Sequence, residues 1–254
     1  MQRFFTTKEF SIEDKNKKLL LPDDIFHHLV HVLRMKKDDC FELVTTNENG
    51  FIAKILDVDK KKGYFEIVSE LHCNSELPVD VTIACGVSKG DKAEEIVKKG
   101  TQLGANNFIF FNSQYSVARW NNKKQVKKIQ RLQTIAQNAA EQSHRMRIPN
   151  VKFISGLTEL IEISKSCNYS LVAYEESAKN GEKNALSDLV IKLKKHGYSS
   201  IISFFGPEGG ISPEEIEQLC NNNFICAALG PRILRAETAP LYFLSALSFG
   251  LELE

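Results

Sequence analysis

The sequence contains no apolar run near the roughly 18 residues that a membrane-spanning helix requires. Its first residues also lack the basic-then-apolar order of a secretory signal, so we expect a cytoplasmic protein. The cysteines show neither C-x-x-C spacing nor a nearby histidine group of the zinc-ligand kind. We therefore expect reduced, mostly structural thiols and no metal site. The six cysteines are Cys40, Cys73, Cys85, Cys167, Cys220 and Cys226.

Two common nucleotide-binding signatures are missing as well. The chain has neither the G-x-x-x-x-G-K-[ST] loop that cradles phosphates nor the G-x-G-x-x-G turn of dinucleotide sites. Nucleoside triphosphates and ordinary dinucleotides are therefore disfavoured as ligands.

What is present is the composition of a folded globular protein. The 254 residues are 43% hydrophobic and 26% charged, and this length favours two modest domains. The net charge is only +1, yet residues 86–150 contain 12 basic and 4 acidic residues. Such a local basic surplus is typical of a surface that binds phosphates. The alternative is a solvated, lysine-rich helix face at residues 123–128.

The periodicity of apolar residues changes along the chain. Alternation predicts short strands at 41–44, 51–56 and 64–68, preceded by a helix over 23–34. This small antiparallel module ends near residues 74–78. Beyond it, strands alternate with helices, which favours a largely parallel sheet covered by helices. The strands expected there are 81–85, 108–111, 169–173, 200–205 and 224–229, and the helices are 92–103, 124–143 and those starting near 213 and 238.

Two glycine-containing loops follow strands of this second region. The loop Gly206-Pro207-Glu208-Gly209-Gly210 lies between the strand 200–205 and a helix start at Ser212-Pro213-Glu214-Glu215. The loop 230–237 lies in the same way between a strand and a helix. Glycines at the carboxyl ends of such strands are typical of ligand sites. The alternative is that glycine and proline only form tight turns.

These loops resemble the signature of a known family. Residues 205–210, followed by 229–239, are similar to the knotted-loop signature of the ribosomal RNA small subunit methyltransferase E family. Further segments that match are His31-Val32-Leu33-Arg34, Lys89-Gly90-Asp91-Lys92, 101–105 and 140–149. The resemblance therefore extends over nearly the whole chain.

The resemblance implies an α/β protein with two domains. Residues 1–73 would form a PUA-like, RNA-binding β-barrel, and residues 74–254 a SPOUT methyltransferase domain with a C-terminal trefoil knot. Rules of chain topology alone would not predict a knot. The family forms homodimers that use S-adenosylmethionine to methylate N3 of one uridine of 16S ribosomal RNA, so 16S ribosomal RNA in the small subunit and a second copy are the partners expected.

The expected chemistry points to charged residues in the second loop. The uracil N3 proton is weakly acidic, so methyl transfer requires a base or a cation that stabilises the deprotonated ring. We expect Arg235 to be that cation, with Arg232 beside it and Glu237 as base or orienting partner. The alternative is a purely structural pair between Arg235 and Glu237. Thr238 has an alternative role as an N-cap.

The cofactor contacts are expected mainly from the two loops. A third loop, after the strand ending at Ala173, is implied by the resemblance and has a weaker match. The cofactor-binding candidates are Tyr174, Glu175, Phe205, Gly206, Pro207, Glu208, Gly209, Gly210, Leu229, Gly230, Ile233, Leu234 and Thr238.

The RNA-binding candidates are cationic or aromatic side chains in both regions, since such groups bind phosphates or stack on splayed bases. Two alternatives stay open: Glu141 and Arg145 are spaced for an ordinary helix-surface pair, and His31 is suited to a packing role. The candidates are Arg3, His31, Arg34, Arg119, Arg145 and Arg147.

The last helix, residues 240–251, is apolar on most sides and must be buried in a core or at a subunit interface. Two rival functions remain. One is a related knotted methyltransferase acting on transfer RNA, at a ribose hydroxyl. The other is a ribosome assembly factor that binds RNA without catalysis, although the paired glycine loops favour an enzyme.

Overall fold

The computed structural model describes residues 1–59, 61–72, 75–179 and 181–253 of the chain. Its contacts divide the chain into two compact units. One comprises Met1–Glu76 with Ala140–Arg147, and the other Leu77–Ala139 with Ile148–Glu254. The expected boundary falls on Cys73 and Asn74, which lie outside the described residues.

The first unit contains a five-stranded sheet with one apolar face. In strand β4, Phe51, Ala53 and Ile55 are buried, while the residues between them are half-exposed. This alternation places every second side chain in one core, because successive side chains of a strand point to opposite faces. Phe41 and Phe65 of the neighbouring strands complete that core.

The strands of this unit are β1 (Arg3–Thr6), β2 (Leu19–Leu20), β3 (Cys40–Thr45), β4 (Gly50–Val58) and β5 (Gly63–Glu70). Their order is β1-β3-β4-β5-β2, with β1 parallel to β3 and the other pairs antiparallel. The three expected strands are therefore present, and β1 and β2 extend the sheet on both sides.

The expected helix over 23–34 has two parts. Helix α1 (Asp23–His27) is followed by a wider π-helical turn over His28–Val32. In that turn the N–H of Leu33 donates to the carbonyl of His28 over 3.0 Å. The backbone then takes the left-handed conformation at Arg34, with φ of 55°, which ends the helical segment.

The second unit is built on a six-stranded sheet in which every strand pair is parallel. The strands have the order β11-β9-β10-β6-β7-β8. They are β6 (Val79–Gly86), β7 (Asn107–Phe111), β8 (Asn150–Phe153), β9 (Tyr169–Ala173), β10 (Ser199–Phe205) and β11 (Ile225–Ala227). The helices are α2 (Lys92–Gln102), α3 (Asn122–Gln142), α4 (Leu157–Ser164), α5 (Glu175–Lys179), α6 (Ala185–His196), α7 (Pro213–Asn221) and α8 (Thr238–Ser248), which continues as a π-helical turn over Phe249–Leu253.

Helices cover both faces of this sheet, so its strands are buried on both sides. On one face Ile83 of β6 packs in one apolar cluster, and the next residue, Ala84, packs in the cluster on the other face. Helix α8 contributes Phe243, Leu244 and Leu247 to the first cluster, whereas its other side is partly exposed.

The cysteines described, Cys40, Cys85, Cys167, Cys220 and Cys226, are free thiols, and Cys73 lies outside the described residues. The sulfurs of Cys220 and Cys226 are 2.6 Å apart. Among the described residues, no helix is long and apolar enough to cross a membrane. Within the same ranges, no three or more histidine, cysteine or acidic residues are grouped as metal ligands would be.

Candidate active site at the carboxyl edge of the parallel sheet

The first glycine loop is fixed by the elements on either side of it. Strand β10 ends at Phe205, and α7 begins at Pro213 with Ser212 as its N-cap. Ser212 Oγ accepts a 3.1 Å hydrogen bond from the N–H of Glu215, and Glu215 Oε2 accepts one of 3.1 Å from the N–H of Ser212. This capping box holds the end of the loop in one conformation.

A second segment packs closely on that loop. A side-chain Cβ at Gly209 would lie 2.7 Å from the carbonyl oxygen of Tyr115, so only glycine permits this approach. The N–H of Gln114 donates to Glu215 Oε1 over 2.9 Å, and Ser212 Oγ donates to Gln114 Oε1 over 2.8 Å. The segment after β7 therefore belongs to the same site as the glycine loop.

The second loop follows β11 and leads into α8. Gly230 has φ of 94°, a conformation that strongly favours glycine. At the other end, the N–H of Thr238 donates to the carbonyl of Arg235 over 2.8 Å. Thr238 is the first residue of α8, and Glu237 occupies the N-cap position without a side-chain capping bond. The alternative role of Thr238 as the N-cap is therefore wrong.

The third loop is tied to the end of β11. The N–H of Tyr174 donates to the carbonyl of Ala227 over 3.0 Å. Further along, Glu182 Oε2 accepts a 2.7 Å bond from the N–H of Ala228. Burial opposes ionisation of Glu182, but backbone N–H donors, including that of Ala228, outweigh it and lower the pKa of this carboxyl. A charged Glu182 thus connects the third loop to the second.

All three loops lie at one edge because β11, β9, β10 and β6 are parallel neighbours. The carboxyl end of β6 is also close: a Cβ at Gly86 would lie 2.6 Å from Pro207 Cδ. Open parallel sheets bind ligands at this edge. The structure therefore brings the predicted cofactor loops together.

The predicted cofactor residues differ in their exposure. Phe205 is buried, and its ring packs edge-to-face against that of Phe243 with ring centroids 5.7 Å apart. Its side chain therefore belongs to the hydrophobic core next to the site. By contrast, Ile233 is 75% exposed. Of the remaining candidates, Pro207 is buried, Tyr174, Gly206, Gly210, Leu229, Gly230 and Leu234 are half-buried, and Glu175, Glu208, Gly209 and Thr238 are exposed.

The charged residues of the site form a connected group. Lys92 Nζ lies 3.0 Å from Glu208 Oε1 and 3.3 Å from Glu237 Oε2. The hydrogen bond to Glu208 raises the pKa of Lys92, with a further contribution from Glu237. Partial burial opposes ionisation of Glu208, but bonds from Lys92 and from backbone N–H groups lower the pKa of its carboxyl.

The predicted catalytic arginines face solvent. The Arg235 side chain is 84% exposed, and its Nη1 lies 4.0 Å from Glu237 Oε1. Arg232 is exposed as well. An ion pair at this distance and exposure contributes little to stability, which leaves the Arg235 guanidinium available to a ligand.

Comparison with known proteins agrees with this geometry. Residues 75–248 match the model of an RNA methyltransferase domain, and residues 21–68 match that of an RNA methyltransferase PUA domain. Ribosomal RNA small subunit methyltransferase E of Bacillus subtilis (strain 168) is 42% identical over 257 residues, covering 100% of this chain and 98% of the relative. The chain belongs to the ribosomal RNA small subunit methyltransferase E family.

Two solved structures are similar to this member of the methyltransferase E family. A crystal structure described as a hypothetical protein has a TM-score of 0.90 and 37% identity, covering 99% of both chains. The methyltransferase E of Neisseria gonorrhoeae, solved bound to S-adenosyl methionine, has a TM-score of 0.82 and 28% identity, covering 98% of this chain and 97% of that one. The expected combination of a PUA-like domain with an α/β methyltransferase domain is confirmed.

Within this methyltransferase E chain, the RNA-binding candidates have different environments. Arg119 is exposed and its Nη2 lies 3.5 Å from the carbonyl oxygen of Gln114, so it stands beside the first cofactor loop. In the first unit, His31 and Arg34 are exposed. The His31 ring contacts the rings of Phe26 and His27, so it packs locally while remaining accessible.

Arg3 and Arg145 have a different environment, since each is only 1% exposed. Arg3 Nε donates to Glu42 Oε2, and Arg145 Nε donates to Glu76 Oε1 over 2.9 Å. Burial in ion pairs argues against direct contact of these two side chains with RNA. Arg147 is less buried, and its Nη2 lies 2.9 Å from Glu48 Oε2.

Sequence reasoning missed three residues that organise this methyltransferase site: Lys92, Gln114 and Glu182. All three contact loops that are distant in sequence, and only the order of the strands brings them there. The segment Lys89-Gly90-Asp91-Lys92 matches the family and includes Lys92. That match alone does not indicate a chemical role for the Lys92 side chain.

Proposed function

We propose that this protein transfers a methyl group from S-adenosylmethionine to N3 of a specific uridine in 16S ribosomal RNA of the small subunit. The main support for this proposal is that two glycine loops and the exposed Arg235 lie at the same edge of the sheet. The relatives' names and the cofactor-bound neighbour support the same reaction class.

The residues at the edge fit the cofactor. Half-buried Leu229 and exposed Ile233 offer apolar surface to an adenine ring. At Gly210 a Cβ would meet no atom within 4 Å, so a flat ligand can approach the backbone of the first loop there. Glu208, Glu175 and Tyr174 add polar groups at the same edge. These loops would therefore hold the cofactor, which supplies an electrophilic methyl group on a sulfonium.

The protein's own residues then handle the uracil. Arg235 and Arg232 are proposed to donate to the carbonyl oxygens that flank N3, which stabilises the ring as its proton leaves. Glu237 is the proposed acceptor of that proton or the partner that orients Arg235. The N3 lone pair forms the new bond to the methyl carbon, and the carbon–sulfur bond breaks with its electrons remaining on sulfur.

Substrate binding is proposed to involve both domains, residues 1–73 and 74–254. Exposed Arg119 stands beside the cofactor loop, and exposed His31 and Arg34 offer a second cationic surface in the N-terminal domain. A substrate of ribosomal RNA is consistent with a cytoplasmic protein. Arg147 would contribute only if its pair with Glu48 opened.

We also propose that the protein forms a homodimer and that its C-terminal segment forms a trefoil knot. Support for the second copy comes from apolar side chains that remain in solvent around α8: Tyr242 is 41%, Phe249 59% and Leu253 76% exposed. Such a patch marks an interaction site, and a two-fold contact would bury it on both chains at once.

Methylation of separate RNA substrates tests the function. The purified protein would be incubated with labelled S-adenosylmethionine and, in parallel, with unmodified small subunits, naked 16S ribosomal RNA and transfer RNA. We expect label in 16S ribosomal RNA as 3-methyluridine. Ribose methylation or labelling of transfer RNA alone would contradict the proposal. Binding of RNA without cofactor binding would instead indicate an assembly factor.

A further inference from the structure

Lys92 joins carboxylates that belong to two different loops of the site. It is the first residue of α2, and its ammonium group lies between Glu208 of the first loop and Glu237 at the end of the second. The N–H of Lys89 donates to the same Glu208 oxygen over 3.0 Å. The segment after β6 is thus connected to both loops through a single side chain.

The three side chains are shielded to different degrees. The side chain of Lys92 is 26% exposed, that of Glu208 27% and that of Glu237 13%. Glu237 Oε2 is buried and, among the described residues, accepts no hydrogen bond of good geometry. Its negative charge is therefore compensated mainly by the nearby Lys92 ammonium, because a partly buried charge requires a close opposite charge.

The other oxygen of Glu237 faces Arg235. Oε1 lies 4.0 Å from Arg235 Nη1, and the guanidinium is largely exposed. Glu237 is consequently held from its buried side by Lys92 and presents its outer oxygen to the arginine. Four charges of alternating sign, Glu208, Lys92, Glu237 and Arg235, thus extend from the first loop to the exposed guanidinium.

We propose that Lys92 is a positioning residue, which sets the place of Arg235 through Glu237 and couples it to the loop that carries Glu208. This inference rests on the proposed methyl transfer. Without Lys92, the carboxylates of Glu208 and Glu237 would lie close together with no cation between them. The nearest cationic side chain of the second loop would then be Arg235. Arg235 would then pair more closely with Glu237 and move away from the uracil. We therefore expect kcat to fall more than the affinity for S-adenosylmethionine.

The test compares Lys92→Met, which keeps the chain length and removes the charge, with Lys92→Arg, which restores a cation. Lys99→Met is the matched control, since Lys99 lies on the same helix, its side chain is 53% exposed and it pairs with Glu95 of that helix. We expect Lys92→Met to lower kcat by about 100-fold, the effect of a small misplacement of a reacting group. The Kd for S-adenosylmethionine and the KM for the RNA should change less than about five-fold, and Lys92→Arg should recover at least about a tenth of the wild-type kcat.

A second measurement uses the protein without ligand. Amide hydrogen exchange across residues 206–212 and 229–237 should accelerate in Lys92→Met and remain at the wild-type rate in Lys99→Met. Unchanged kcat in Lys92→Met, with wild-type enzyme active in the same assay, would overturn the proposal. So would a loss of cofactor binding as large as the loss of kcat, or exchange rates equal to those of the wild type. If the wild-type protein methylated no RNA, the proposed function would fail, and the exchange measurement would still decide whether Lys92 holds the two loops.

Discussion

Arg3 and Glu42 form a buried ion pair in the first unit, with Arg3 Nε 2.8 Å from Glu42 Oε2. The Arg3 side chain is 1% exposed and that of Glu42 is 13% exposed. Arg3 Nη1 also donates to the carbonyls of His144 and Arg145, and His144 Nδ1 lies 2.9 Å from Glu42 Oε2. The pair therefore ties strand β1 to the segment Ala140–Arg147, which is distant in sequence.

Loss of the Glu42 charge should destabilise this unit. Glu42→Gln leaves the Arg3 guanidinium buried without its counter-charge, and breaking one side of a buried pair costs about 3–5 kcal/mol. We expect a value near the lower end, about 3 kcal/mol, because the carbonyl bonds of Arg3 remain. Urea unfolding at pH 7 measures the change.

The control is Glu66→Gln. Glu66 pairs with the Lys54 ammonium over 2.6 Å, but the two side chains are 20% and 33% exposed, so the loss should stay below about 1 kcal/mol. Equal losses of unfolding free energy in Glu42→Gln and Glu66→Gln would show that burial does not increase the contribution of the Arg3–Glu42 pair to stability.

The same carboxyl should make stability depend on pH. Burial of Glu42 opposes its ionisation, but bonds from Arg3 and His144 outweigh burial and lower its pKa below the usual 4.5. The unfolded chain then binds more protons than the folded one in acid, so stability is present above about pH 4.5 and is lost as the pH falls through the lower folded pKa. Unfolding free energies between pH 7 and pH 3 should decline less steeply in Glu42→Gln. A parallel decline in both proteins would contradict the assignment.

The sequence predicted the position of the first glycine loop but not the burial of Arg3 and Arg145. The first loop was placed correctly because its signals are local: an apolar strand ends at Phe205, and a capping box starts at Ser212. Arg3 and Arg145 are RNA-binding candidates in the sequence because their side chains are cationic, whereas the carboxylates that bury them in ion pairs, Glu42 and Glu76, are distant in sequence. The sequence does not reveal the role of Lys92, because the order of the strands in the sheet, and not spacing along the sequence, brings Lys92 to Glu208.

Gly209→Ala should weaken cofactor binding. Its new Cβ would lie 2.7 Å from the carbonyl oxygen of Tyr115, and a backbone atom cannot move aside cheaply, so the first loop must shift. Overpacking of this kind costs about 1–3 kcal/mol, and we expect the Kd for S-adenosylmethionine to rise about ten-fold by calorimetry. At Gly156 a Cβ would meet no atom within 4 Å, so Gly156→Ala should bind like the wild type. An unchanged Kd in Gly209→Ala would show that this close approach does not shape the cofactor site.

The proposed homodimer depends on the apolar patch around α8. Phe249→Glu combined with Leu253→Glu places two charges in that patch, and their desolvation should prevent association. Sedimentation should give about twice the 28.7 kDa chain mass for the wild type and the single mass for the double variant. The control is Tyr198→Glu, since Tyr198 is 69% exposed and lies before β10, at the amino edge of the sheet. Dissociation by this control, or a wild-type monomer, would contradict the assignment of the interface.

Arg235→Ala should separate turnover from binding. The guanidinium is exposed and only loosely paired with Glu237, so its removal leaves the fold and the glycine loops intact. Loss of a group that stabilises developing negative charge lowers kcat by about 100-fold or more, while the Kd for S-adenosylmethionine should stay within about three-fold. Arg235→Lys should recover little, because an ammonium group lacks the planar fork that reaches two oxygens. Arg131→Ala, at a surface arginine paired with Glu94, should remain fully active, and near-wild-type turnover of Arg235→Ala would exclude the proposed role.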